Sequence, residues 1–184
     1  LTKKVLCIGD SLTYGYAVPY GCGWVEKLQK ALPQDTFVNA GVNGDTLQGI
    51  INRYKDIYRH QKFDLVIFMG GSNDILMGRN SDYCFKKYAE VGELMVVNSQ
   101  LIVAIPMAME DSIDELTPIV EAYRRSLLQW AKERELPVID FFSSIQQFSV
   151  AGEIVFAGDV HPNEKGYDIM FQTALAVLRE QGIG

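Results

Sequence analysis

The sequence of 184 residues has only three cysteines and two histidines, and it lacks an excess of basic residues. Seventeen Lys and Arg stand against 23 Asp and Glu, which leaves a formal net charge of −6. Because phosphate binding needs a basic surface, this balance argues against nucleic acid as a partner. The odd, scattered set of cysteines, without a CxxC pair, is typical of neither a disulfide framework nor a zinc site.

Long apolar runs are also missing from the chain. No stretch approaches the roughly 20 apolar residues of a membrane span, so we expect no membrane-spanning segment. The apolar run at Val5–Ile8 is too short for a secretory signal. We also expect the cysteines to be reduced, and together these two features favour a cytoplasmic location. The sequence begins with Leu1 and leaves open whether a leader was removed; it also leaves the oligomeric state open.

Short apolar runs alternate with longer amphipathic segments, without a repeat or a linker. Near-continuous apolarity in the short runs is typical of parallel strands that are covered on both faces. The alternation predicts one α/β domain over residues 1–184, built on a five-stranded parallel sheet. The predicted strands are Lys4–Ile8, Thr36–Ala40, Leu65–Met69, Leu101–Ile105 and Val138–Phe142, and the predicted helices are Trp24–Leu32, Thr46–His60, Asp82–Val97, Ile113–Glu135 and Glu164–Gln181.

Small polar residues follow the first three predicted strands, at the sheet edge where α/β proteins bind ligands. These segments are Gly9–Leu12, Gly41–Asp45 and Gly70–Asp74. Ser11 lies in a tight turn in which Gly9 permits a sharp backbone path. A serine hydroxyl becomes a good nucleophile only when a positioned base removes its proton, so Ser11 needs a histidine.

Only two histidines are available for that role. His60 ends a predicted helix beside basic residues. At that position the imidazole interacts favourably with the negative end of the helix dipole, which is a structural role. His161 precedes Pro162, which restricts it to an extended backbone, and Asn163, which can cap the last helix. We therefore predict His161 as the general base.

The strand ends also offer donors for an oxyanion. The backbone N–H groups of Ser11 and Gly44 and the side-chain amide of Asn73 come from three successive strand ends. Each residue taken alone is typical of a turn. Their joint occurrence predicts an oxyanion hole.

Four motifs of the chain resemble, in order, the sequence blocks of the GDSL (SGNH) family of serine esterases and lipases. A single Gly-Asp-Ser-Leu tetrapeptide is a weak signal, whereas four ordered blocks over nearly the whole chain are a strong one. The matching segments are Ile8–Gly15, Gly41–Thr46, Gly71–Asp74 and His161–Tyr167.

This resemblance implies a flavodoxin-like three-layer α/β/α sandwich, the SGNH hydrolase fold. It also implies Ser11 as nucleophile, His161 as base, and an oxyanion hole made by Ser11, Gly44 and Asn73. The implied substrate is a small-molecule carboxylic ester or thioester, and the implied chemistry requires no cofactor and no metal.

The sequence departs from the family at the acid of the triad. The family places an aspartate three residues before its histidine, where this chain has Gly158, and the nearest carboxylate is Asp159. A bulged loop would let Asp159 orient His161; the carbonyl of Gly158 would make a dyad instead, and a remote acid is the third alternative. A neutral acceptor stabilises imidazolium less, so it predicts weaker activity.

Other functions stay open on the sequence alone. A metal site at Asp10, Asp74, Asp159 and His161 has suitable ligands, but carboxylates that accept backbone N–H bonds in turns are the better interpretation of Asp10 and Asp74. A phosphate-binding protein is disfavoured because neither GxGxxG nor a P-loop is present. A catalytically weakened binding protein is the main alternative. For an esterase, the loop Tyr14–Gly21 with Met107–Met109 would wall an acyl pocket.

Overall fold

The structure is a computed structural model that describes residues 2–107, 109, 115–158 and 160–184. Its centre is one sheet in which all five strands run parallel. The strands are β1 (Lys4–Gly9), β2 (Thr36–Gly41), β3 (Leu65–Phe68), β4 (Gln100–Ile105) and β5 (Val138–Asp140), in the order β2-β1-β3-β4-β5. This order puts the ends of β2, β1 and β3 side by side, which is where the polar segments of the sequence lie.

Helices cover both faces of the sheet. Successive side chains of β1 point to opposite faces, so that Val5 and Cys7 join one apolar cluster and Leu6 and Ile8 join the other. The predicted three-layer α/β/α fold is therefore confirmed. The helices are α1 (Ser11–Tyr14), α2 (Trp24–Ala31), α3 (Leu47–His60), α4 (Ser72–Leu76), α5 (Ser81–Asn98), α6 (Thr117–Glu133), α7 (Phe141–Val150) and α8 (Glu164–Glu180).

The predicted last strand, Val138–Phe142, is wrong at its end. Asp140 closes the strand and caps α7, because its Oδ1 accepts a hydrogen bond of 3.1 Å from the backbone N–H of Ser143. Phe141 and Phe142 are buried from the first turn of this helix. An apolar run that continues through a helix cap looks like one long strand, which is why the boundary was misplaced.

The short helices α1 and α4 were predicted only as turns. Both begin within four residues of the end of a strand and last about one turn, too short for a periodic apolar pattern. Among the helices of the described residues, none combines the length and the apolar composition that crossing a membrane requires.

Candidate active site

Ser11 is the first residue of a helical turn that follows β1 directly. Asp10 caps this turn, because its Oδ1 accepts a hydrogen bond of 3.0 Å from the backbone N–H of Leu12. Gly15 ends the turn in the left-handed conformation, with φ 88°. The turn places Ser11, largely buried, at the carboxyl edge of the sheet.

Two glycines let this turn press against the strand ends. A Cβ atom on Gly41 would overlap the backbone nitrogen of Tyr14 and lie 2.6 Å from its Cα. A Cβ atom on Gly9 would lie 2.7 Å from the backbone oxygen of Met69. Because backbone atoms are among the obstacles at both sites, the position of Ser11 depends on the absence of side chains there.

His161 reaches Ser11 across 150 positions of the sequence. The Oγ atom of Ser11 lies 3.0 Å from Nε2 of His161. In the tautomer that carries its proton on Nδ1, the imidazole accepts the serine O–H at Nε2. The structure thus brings the predicted nucleophile and the predicted base into hydrogen-bonding contact. His60 lies at the end of α3, as expected for a helix-terminal residue.

The loop that carries His161 is held at the start of α8. Asn163 caps this helix, since its Oδ1 accepts from the N–H of Gly166 at 2.9 Å, and its Nδ2 donates to the oxygen of Ile154 at 2.9 Å. The oxygen of His161 itself accepts from the N–H of Ala157 at 2.9 Å. The described residues of the loop that carries His161 are not part of the sheet. Hydrogen bonds of the Asn163 side chain and of the loop backbone therefore hold the imidazole in position.

The imidazole of His161 packs against an aromatic ring and is partly buried. The ring of Tyr16 lies 4.6 Å from that of His161, centroid to centroid, at an interplanar angle of 50°. Burial lowers the pKa of His161 below its usual value of 6.5, because the charged imidazolium loses water. A lowered pKa keeps the imidazole neutral, which is the form that accepts a proton.

The predicted acid, Asp159, lies outside the described residues. Its role as partner of His161 stays a prediction, and so does the alternative that uses the carbonyl of Gly158.

Gly44 and Asn73 lie beyond the ends of β2 and β3, the two strands that flank β1 in the sheet. Asn73 belongs to α4, and its Nδ2 donates a hydrogen bond of 2.8 Å to the backbone oxygen of Asp45. Gly44 has φ 73°, a left-handed conformation, and no described atom lies within 4 Å of the place where its Cβ would be. Asp45 therefore links the segment that carries Gly44 to the side chain of Asn73.

Ser11, Asn73 and His161 line one small pocket of about 20 Å³. Met107 and Met109 contribute to its wall, whereas Ala108 lies outside the described residues. Its other lining residues are Leu12, Ser72, Leu76 and Val160. Of the residues predicted to wall an acyl pocket, Met107 and Met109 therefore lie beside Ser11 and His161.

The loop Tyr14–Gly21 contributes to a different cavity of about 370 Å³, together with Gly23, Glu26, Asn39 and Gly41. It was predicted to share the acyl pocket with the methionines. The cavity beside Ser11 and the cavity lined by the loop are therefore different, although Tyr16 of the same loop contacts His161.

A model of the GDSL-like lipase/acylhydrolase family matches residues 7–169 of the chain. The chain belongs to this family. A solved structure of a lipolytic protein of the G-D-S-L family from Veillonella parvula is 35% identical, with a TM-score of 0.92 over 96% of this chain and 98% of that one. The predicted family is therefore confirmed.

Two curated relatives match a shorter part. An arylesterase of Vibrio mimicus is 36% identical over 81 residues, 42% of this chain and 40% of that protein. Esterase TesA of Pseudomonas aeruginosa is 35% identical over 80 residues, 41% of this chain and 40% of that protein. The matched part of the chain spans about 40% of the length of these relatives.

The buried carboxylates of this family member accept backbone N–H bonds, as predicted. Asp10 binds the N–H of Leu12, and Oδ2 of Asp74 accepts from the N–H of Leu47 at 2.8 Å. Burial raises the pKa of Asp10 to about 7 and also raises that of Asp74. Within the part of the chain that the structure describes, no group of three or more His, Cys, Asp or Glu could hold a metal ion.

Sequence reasoning missed Arg53. This residue of α3 donates hydrogen bonds to the backbone oxygens of Gly9 and Ala40, at 2.8 and 2.7 Å, and to Oδ2 of Asp45 at 2.7 Å. An arginine on an amphipathic helix is typical of an exposed surface. Two of its partners are main-chain carbonyls of other elements, and no local pattern indicates such contacts.

Proposed function

We propose that the protein hydrolyses carboxylic esters or thioesters of small acyl groups through an acyl-Ser11 intermediate. The distance of 3.0 Å between Ser11 Oγ and His161 Nε2 carries this proposal. The names of the curated relatives, an arylesterase and an esterase, agree with it. The alternative of a catalytically weakened binding protein gains no support from these relatives.

Acylation begins when Nε2 of His161 takes the proton of Ser11 as Oγ attacks the acyl carbon. The carbonyl electron pair moves to oxygen, and a tetrahedral oxyanion forms. Imidazolium then gives its proton to the departing alkoxide or thiolate, which leaves as the carbonyl reforms. Water repeats the sequence on the acyl-enzyme, with His161 again as base, and releases the acid and free Ser11.

The oxyanion would be stabilised by three donors. Ser11 opens α1, and the first N–H groups of a helix lack an intrahelical partner. An amide has two N–H donors, so Asn73 keeps one for substrate while Asp45 accepts the other. Gly44 would supply the third through its backbone N–H, and no described atom lies within 4 Å of its Cβ position. Each such donor is worth about 100-fold or more in rate.

We further propose that Asp159 orients His161. The variant D159A should then lose several hundredfold in kcat, since an imidazolium without its carboxylate is stabilised less. A loss of only a few-fold would favour the carbonyl of Gly158 as the acceptor.

The pocket favours short acyl groups as substrates. Its volume of about 20 Å³ is near what a single ordered water requires, so longer chains must extend beyond it. Activity on p-nitrophenyl esters should therefore be highest for acetate or butyrate. Equal or higher kcat/KM for octanoate would contradict this preference.

Activity and labelling test the central proposal together. Wild-type protein should hydrolyse p-nitrophenyl acetate and react with a fluorophosphonate at Ser11, and S11A and H161A should abolish turnover. S126A and H60A are matched controls, because Ser126 bonds within α6 and His60 lies exposed at the end of α3. No turnover on a broad ester and thioester panel, with no labelling, would reject the enzyme.

A cytoplasmic location is part of the same proposal. Cys7, Cys22 and Cys84 are all free, and two of them are buried. Free thiols agree with a reducing compartment. Cell fractionation of the native protein tests it, and recovery outside the cytoplasm would contradict it.

A further inference from the structure

A single side chain bonds to two of the three segments that carry the proposed oxyanion donors, and it is linked to the third through Asp45. Arg53 lies in the middle of α3, and its guanidinium is only partly exposed. Each of its three nitrogens donates one hydrogen bond, and all three are between 2.7 and 2.8 Å long. Because a guanidinium is a rigid planar fork, these bonds constrain the relative positions of their acceptors.

The first acceptor belongs to the segment of the nucleophile. The oxygen of Gly9 is two residues before Ser11, and it also accepts the N–H of Val42 at 3.1 Å. Arg53 and Val42 therefore hold the end of β1 from two directions. Only Asp10 separates this anchored residue, Gly9, from Ser11, whose N–H is one of the proposed donors.

The second and third acceptors flank Gly44. Ala40 lies in β2 before it, and Asp45 follows it in sequence. Oδ1 of Asp45 accepts the N–H of Thr46 at 3.0 Å, so both carboxylate oxygens are engaged. A Cβ atom on Gly49 would lie 2.8 Å from Cγ of Asp45, so that glycine leaves the room this carboxylate needs.

Asp45 also contacts Asn73. The backbone oxygen of Asp45 accepts the side-chain amide of Asn73 at 2.8 Å, while its carboxylate binds Arg53. The contacts of Arg53 therefore extend through one residue to the third proposed donor. The guanidinium therefore binds the ends of β1 and β2 directly, and it is linked to the helix after β3 through Asp45.

We propose that Arg53 is a positioning residue that sets the spacing of the oxyanion donors of Ser11, Gly44 and Asn73. Among the described residues its hydrogen bonds go to backbone and carboxylate oxygens of the donor segments, so we expect it to act on the donors and not on substrate. This inference rests on the proposed hydrolase function. It predicts that the loss of Arg53 weakens binding of the transition state more than binding of the substrate.

The variants R53M and R53K test the inference, with R59M as the matched control on the exposed last turn of the same helix. Steady-state kinetics on p-nitrophenyl acetate separate kcat from KM. Inhibition by butylboronic acid, which bonds to a serine oxygen and places a boronate oxygen in the oxyanion hole, reports the geometry of the donors. Thermal unfolding shows which variants are folded.

We expect kcat of R53M to fall about 100-fold, the effect of a displacement near 1 Å, while KM changes less than about threefold. The inhibition constant of the boronic acid should rise in parallel, because it depends on the same donors. R53K keeps the charge beside Asp45 but cannot reach three acceptors, so we expect a loss of about tenfold. R59M should match wild type.

Folded R53M with kcat near that of wild type would overturn the inference. A fall in kcat without a change in the boronic acid inhibition would overturn it as well, because the donors would then be intact. If R53M does not fold, R53K decides by the same two measurements. An inactive, unlabelled wild type rejects the proposed function, whereas an active wild type with an equally active R53K rejects only the role of Arg53.

Discussion

The nucleophile and the base of this protein are held by two different kinds of structure. Ser11 follows β1, between the ends of β2 and β3, and glycines allow its turn to touch strand backbone. His161 lies in the loop between α7 and α8, where a single bridge between Phe156 and Pro162 is the β-type pairing that the described residues show. We call these the serine side and the histidine side.

The two sides should respond differently to mutation. On the serine side the close contacts are between backbone atoms, which cannot move without moving strands. On the histidine side the anchors, among the described residues, are hydrogen bonds of the Asn163 side chain and of the loop backbone, without a strand of the sheet beside them. The comparison indicates that added side-chain atoms disrupt the serine side through steric overlap. Loss of a hydrogen bond on the histidine side should instead make the position of His161 less well defined.

The largest effect is expected from G41A on the serine side. The added Cβ would overlap the backbone of Tyr14 and displace the turn that carries Ser11. We expect a loss of about 3 kcal/mol in the free energy of unfolding and about 100-fold in kcat. Urea unfolding and esterase kinetics measure these changes. The control G182A adds a methyl in open space at φ 73° and should cost only about 1 kcal/mol, with normal kcat. G41A with wild-type kcat would contradict the rigid serine side.

A second test uses the charge of Asp10. Its pKa of about 7 when folded exceeds the value of about 3.9 of an exposed aspartate. Between these values the folded chain binds more protons, so the free energy of unfolding should fall as pH rises from about 4 to about 7, by a few kcal/mol. In D10N the amide oxygen keeps the cap and the decline should shrink to the part that buried Asp74 contributes, whereas D56N, on the exposed face of α3, should retain the full decline. An unchanged pH dependence in D10N would refute the assignment.

A smaller effect is expected from N163A on the histidine side. The variant loses the cap of α8 and the bond to Ile154, together about 2 kcal/mol of unfolding free energy. We expect kcat to fall about tenfold as His161 loosens. N163D keeps the capping oxygen but loses the N–H donors, so it should lie between N163A and wild type in thermal unfolding. Stability equal to wild type in N163A would show that other contacts hold the loop.

The smallest expected effect is a shift of the pH profile. Because burial lowers the pKa of His161, the acidic limb of kcat/KM should have its midpoint below about 6.5. Neutral imidazole then persists to lower pH, and activity is lost only below that midpoint. H60A should leave the midpoint unchanged. A midpoint above 6.5 would indicate that an acidic partner outweighs burial.

Local pattern was enough to predict the strands and most of the helices. The apolar runs are continuous because helices cover both faces of the sheet, and the predicted cores of all five strands are confirmed. The exception is Phe141–Phe142, where Asp140 converts the end of an apolar run into a helix start. The side chain of Asp140 sets this boundary by capping the helix, and a pattern of apolar residues gives no information about such a cap.

The sequence by itself determined the family, the fold class and the chemical groups at the strand ends, because apolar periodicity and short motifs are local properties. Only the tertiary structure decided that Ser11 Oγ and His161 Nε2 lie 3.0 Å apart, that the methionines and the Tyr14–Gly21 loop line different cavities, and that Arg53 bonds to the ends of β1 and β2. These features depend on contacts between segments far apart in the chain. The packing of helices on the sheet sets such contacts, and neighbouring residues do not encode them.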